Sequence, residues 1–153
     1  TRRAIELPRV NKKPESMGRI VIAVDPGVTN TERSDEHGII AAGVDTTGRE
    51  GYVLEDGSIQ GSPEQWARQA IAMFDSWQAD AIVVEVNQGG DMVAQTIRTI
   101  RNNIPIREVR ATRGKHVRAE PASSLYQQGR VHHVGSSIYR DVYSRSTSLV
   151  RNY

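Results

Sequence analysis

The 153 residues carry a formal net charge of +2 and no cysteine, which excludes a disulfide framework and a thiolate zinc site. Any metal would be held by oxygen or imidazole, a donor set that suits Mg2+ or Mn2+ better than zinc. No apolar run approaches the roughly 18 residues of a membrane span, and the first residues lack the apolar core of a signal peptide, so no membrane partner is expected. The length fits one domain that buries roughly 70% of its unfolded surface.

Charge is strongly segregated along the chain. Residues 1–20 hold six basic and two acidic side chains, residues 21–95 three basic and thirteen acidic, and residues 96–153 eleven basic and three acidic. The middle is therefore near −10 and the last third near +8. An acidic centre bordered by a surface for a polyanion would produce this pattern, and so would ordinary solvated faces.

Residues 1–18 are polar, basic and interrupted by Pro8 and Pro14, the composition of a linker. The near-continuous apolar run at 19–25 then reads as a strand buried on both faces, with a second strand at His37–Val44 after a polar loop. A third strand at 51–56 follows a short connection containing Gly48, which favours a hairpin and an antiparallel meander of three strands. Asp45, Glu55 and Asp56, in the hairpin region, are most simply solvated.

Ser62-Pro63-Glu64 starts a helix, with Ser62 as N-cap, Pro63 at the first helical position and Glu64 complementing the dipole. It should run to about Gln78. Trp66, Ala70, Met73, Phe74 and Trp77 recur along it at three- and four-residue spacing, as expected of core. A strand at 81–86, a helix at 90–101, a strand at 105–110 and a helix at about 117–127 follow as alternating units. The fold class is therefore α/β, a mixed sheet with three antiparallel strands followed by parallel β-α units. This is the order of an RNase H-like domain, in which the first and fourth strands lie side by side.

That adjacency gives the two best-placed acids their meaning. Asp25 ends the first strand before Pro26-Gly27, and Glu85 ends the fourth before Asn87-Gln88-Gly89-Gly90. Ligands bind at the carboxyl ends of strands in open α/β sheets. Two carboxylates brought within a few ångströms there repel each other, and a divalent cation relieves the repulsion. Asp91, at a helix start, reads as a cap rather than a ligand. Asn87, Gly89 and Gly90 suit a tight turn that approaches a phosphate through backbone N–H groups, or a purely structural turn. His116, His132 and His133 have neither a nearby cysteine nor helical His-x3-His spacing, which argues against zinc.

Longer stretches carry a specific resemblance. Val24-Asp25-Pro26, Asp35-Glu36-His37-Gly38-Ile39, Ser62-Pro63-Glu64-Gln65-Trp66-Ala67, Val84-Glu85-Val86-Asn87-Gln88-Gly89-Gly90-Asp91-Met92-Val93 and Arg110-Ala111-Thr112-Arg113-Gly114-Lys115 are among them. With Arg118-Ala119-Glu120-Pro121 and Leu125-Tyr126-Gln127-Gln128-Gly129-Arg130-Val131, they make the chain similar to the C-terminal nuclease domain of the large terminase subunit of tailed bacteriophages and prophages. The resemblance implies an RNase H-like nuclease domain over 19–135, with 1–18 as the linker from a packaging ATPase whose Walker A motif does not occur here.

The resemblance also implies an endonuclease that cuts concatemeric double-stranded DNA with two Mg2+ or Mn2+ ions. Asp25 and Glu85 would be the catalytic metal ligands, and Asp35 would join them or hold a coordinated water. Arg113, Lys115 and Arg118, matching a Gly-Lys-x-x-Arg element, would contact DNA phosphates. The full-length protein would work with a small terminase subunit and a portal in the cytoplasm of a bacterial host. From Ser136 to Tyr153 the motif comparison finds no counterpart of the family's further acidic segment or of its last helix, whose aspartate is the third main ligand. Asp141 is the one carboxylate there, and neither motif nor spacing supports it as a replacement. A catalytically inactive DNA-binding or assembly remnant is therefore the alternative to an active nuclease. Loss of the last helix would also leave part of one sheet face exposed to partners or aggregation.

Overall fold

The computed structural model describes residues 9–25, 36–86, 92–110 and 115–135, with the side chains of Glu36 and of residues 115–120 left aside. Its strands are β1 (Arg9–Val10), β2 (Met17–Asp25), β3 (Glu36–Asp45), β4 (Gly51–Asp56), β5 (Ile59–Gln60), β6 (Ala81–Val86), β7 (Ile106–Arg110) and β8 (Val131–Val134). The helices are α1 (Pro63–Ser76), α2 (Met92–Ile100) and α3 (Lys115–Gln127). One mixed sheet runs in the order β1-β8-β4-β3-β2-β6-β7, with β5 pairing to β3. β2, β3 and β4 are the expected antiparallel meander, and β6 and β7 add in parallel beside β2. The RNase H-like order expected from the sequence is therefore present. Among the described residues no helix is long and apolar enough to cross a membrane.

Alternation along the strands sorts side chains onto two faces. Ile22, Val24, Ile82 and Val84 pack with Trp66, Ala67 and Ala70 of α1 and with Ala94 and Ile97 of α2 in the main core. Ile40, Ala42 and Val53 form a second cluster on the opposite face. α1 begins as its sequence indicates. Ser62 Oγ accepts from the Gln65 N–H and the Gln65 side chain accepts from the Ser62 N–H, so two orphan donors are satisfied. Of the predicted stripe, Trp66, Ala70 and Met73 are buried, and Phe74 and Trp77 pack at its edge.

Parts of the segment read as linker belong to the sheet. Met17 and Gly18 open β2, and Arg9–Val10 pairs in parallel with His133–Val134 at the far edge. The hairpin acids are also not simply solvated. A register shift in β4 beside Ala41 and Ala42 places Glu55 opposite Ala41 of the main core, where its carboxylate accepts the Trp77 indole N–H. Asp56 accepts from the Ser58 N–H and hydroxyl. Asp45 accepts from the Thr47 hydroxyl and from the N–H groups of Arg49 and Glu50. These bonds, the Thr47 hydroxyl foremost, hold its carboxyl below the usual range.

Candidate functional site

The register between β2 and β6 decides where the two acids meet. At the start of β6, the Asp80 N–H donates to the Ile20 carbonyl at 2.7 Å, and the Asp80 carboxylate accepts the Ile20 N–H at 2.8 Å. Asp80 thereby grips both backbone groups of one β2 residue. The pairs that follow are Val21 with Ala81, Ile22 with Ile82, Ala23 with Val83 and Val24 with Val84. Asp25 and Glu85 are the next residues on each strand, at the carboxyl ends of parallel neighbours that lie about 4.8 Å apart.

Strand alternation places both acids on the face opposite α1 and α2. Glu85 is only 7% exposed and Asp25 is half-buried. Two carboxylates fixed side by side by the backbone form a hard, oxygen-only donor pair that fits Mg2+ or Mn2+. Among the described residues no group of three or more metal-ligating side chains converges. Asp35 lies outside the described residues, as do Arg113, Asn87, Gly89, Gly90, Asp91 and Asp141. Lys115 and Arg118 are in the first half of α3, which follows β7 after a four-residue connection.

α3 spans the crossover from β7 to β8. Its Tyr126 hydroxyl lies 2.7 Å from His133 Nε2 in a buried hydrogen bond. His133 is fully buried, and burial, with Arg9 nearby, pushes its pKa down to about 4. The adjacent His132 alternates to the other face, where it stacks on Tyr52 and meets Glu50 at 2.8 Å. The two histidines thus serve different neighbours.

Sequence reasoning missed Asp80, His133 and the arginines of β7. Asp80 was hidden because a carboxylate before a strand looks like any turn residue. A histidine pair in a short strand likewise does not declare which member is buried. Arg107 and Arg110 are exposed, and their placement relative to Glu85 follows only from the pairing of Glu85 with Val109 and of Val86 with Arg110.

The sequence matches the terminase RNaseH-like domain family over residues 22–150, a span that includes most of the C-terminal stretch set apart by motif comparison. No curated protein matches it. Among solved structures, the large terminase nuclease from thermophilic phage G20c shares 14% identity at a TM-score of 0.58, covering 83% of this chain and 63% of that one. The chain thus spans less than two thirds of that phage protein. The human cytomegalovirus terminase nuclease domain, in a Mn-soaked and inhibitor-bound structure, shares 14% identity at a TM-score of 0.61, covering 95% and 81%. Thermus thermophilus RuvC shares 10% identity at 0.57, covering 85% and 89%. At such identities the structures establish the fold, and the family match over 22–150 establishes the lineage: the chain belongs to the terminase RNase H-like domain family.

Proposed function

We propose that the chain is a metal-dependent endonuclease domain of a phage DNA-packaging terminase that hydrolyses phosphodiester bonds in double-stranded DNA. The observation that carries this reading is the adjacency of Asp25 and Glu85 at the carboxyl ends of β2 and β6, in a chain of this family. When bound, a pair of divalent ions supplies Lewis-acid activation of the attacking water and stabilisation of the leaving 3′ oxygen. Asp25 and Glu85 would hold the ions, with Asp25 as the shared ligand, and Asp35 would complete the donor set or orient water. The Mn-soaked viral relative supports Mn2+ as one usable ion.

Lys115, Arg118 and Arg113 hold the DNA backbone through phosphates, which suits a nuclease that must act on many sequences. In the full-length protein, the small terminase subunit and the portal are the expected partners, inside the bacterial host. A DNA-binding or assembly remnant without catalysis is the second reading, because no third acidic ligand is recognised by motif in residues 136–153, although the family match runs to residue 150.

Plasmid nicking separates the two. The active reading expects weak Mn2+- or Mg2+-dependent nicking that EDTA abolishes and that Asp25→Asn removes while the fold persists. Nicking in EDTA, or undiminished nicking by a stably folded Asp25→Asn protein, contradicts the mechanism. DNA binding with no nicking in any divalent ion selects the remnant.

A further inference from the structure

Several of the described arginines near α1, α2 and β7 are held in ion pairs and others are not. Arg68 pairs with Glu64, Arg98 with Glu108 and Arg101 with Asp75. Arg107 and Arg110, both exposed on β7, make no ion pair among the described residues. Among the described residues β7 is the last strand of the sheet on its side, and its outward N–H and C=O groups have no strand partner there.

Register fixes where these two side chains stand. Val109 pairs with Glu85, so Arg107, two residues back, shares the face of Glu85 and Asp25. Strand spacing and rise put the Arg107 Cα about 8 Å from that of Glu85, within the reach of an extended arginine and of a strand lying over Glu85. Arg110 alternates to the opposite face, at the carboxyl end of β7 beside Val86. The edge therefore carries a cation on each side, at the end of the sheet where the acids lie. Asp45 and Glu50 lie in the β3–β4 hairpin, away from β7, and the far flank of β8 and β1 carries Arg130 and Arg9. α3, which opens at Lys115, begins after a four-residue connection from Arg110.

We propose that the β7 edge is the track along which the duplex reaches the acids, with Arg107 and Arg110 straddling the edge and binding backbone phosphates next to the one that is cut. This rests on the DNA-cutting reading above and adds the path: the nucleic acid enters across β7, not across the β4–β8 side. Planar, permanently charged guanidinium groups match phosphate in two-point contacts. The competing role for charges on an edge strand is to block pairing with other sheets.

Fluorescence anisotropy with unrelated labelled duplexes, in EDTA across a KCl series, decides between them. Arg107→Ala and Arg110→Ala should each weaken binding about three- to tenfold, equally for every duplex, and each should lower the salt slope by roughly 0.9. Arg107→Lys should keep most of the slope. Arg49→Ala, an equal charge change in the β3–β4 hairpin, should leave the slope unaltered. Thermal melts check that all variants fold.

The proposal is overturned if Arg107→Ala and Arg110→Ala keep the wild-type slope, whether or not light scattering then shows self-association through the bared edge. It is also overturned if Arg49→Ala lowers the slope as much, since net charge alone would then account for the effect. Lys115→Ala distinguishes this failure from that of the parent reading. A slope that responds to Lys115 but not to β7 removes only the edge track. A wild-type protein that binds no duplex at any salt removes the DNA reading and the track with it.

Discussion

Asp25 and Glu85 are held together by backbone register, so their proximity persists whatever their ionisation. His133 poses a different residue-scale problem. Its imidazole is enclosed, and burial lowers its pKa from 6.5 to about 4, so the folded state keeps it neutral where the unfolded chain protonates it. Between those values the unfolded state binds more protons, and stability must fall as pH falls. Above about pH 6.5 the contribution is complete, and the loss accrues from there down to about pH 4. Thermal melts between pH 7 and pH 5 avoid most carboxylate titration. Over that window the melting temperature of the wild type should drop, and that of a folded His133→Phe protein should drop less. Equal slopes would show that His133 is not enclosed as described. The acid pair was legible in the sequence because each acid ends an apolar run. His133 was not, because alternation gives it and His132 opposite environments that a four-residue strand cannot reveal.

Among the elements, the pairing of β2 with β6 carries the site, and Asp80 sets its register. Removing that carboxylate leaves the Ile20 N–H without its side-chain acceptor. Asp80→Ala should therefore cost about 1–2 kcal/mol of stability, measured by urea unfolding. It should also lower nicking more than Asp80→Asn, whose side-chain oxygen can still accept from Ile20. Equal nicking by both variants would mean that pairing along the rest of β2 and β6 holds the acids unaided. The long elements were readable from sequence for physical reasons. β2 and β6 are apolar on both faces, and α1 carries a capping signal and an apolar stripe. β1, β5 and β8 span two, two and four residues. Their pairing partners are distant in the chain, so no local periodicity marks them. The shift in β4 that turns Glu55 toward Trp77 is likewise invisible to a strict two-residue alternation.

At the scale of the whole molecule, the charge blocks of the sequence are distributed by strand order to both flanks of the sheet. The acidic middle of the chain supplies most of β2 and all of β3, β4 and β6 at the centre, and the basic last third supplies β7 on one side and β8 on the other. The sequence displayed the charge blocks, but only strand order shows that Arg107 and Arg110 stand on the strand next to Glu85. The account stands or falls on whether Asp25 and Glu85 bind metal, and anomalous diffraction from crystals soaked in Mn2+ tests this most directly. It predicts Mn2+ density in contact with both Asp25 and Glu85, absent from crystals of Asp25→Asn soaked in the same way. Contacts to neither acid, or the same density in the variant, would contradict it.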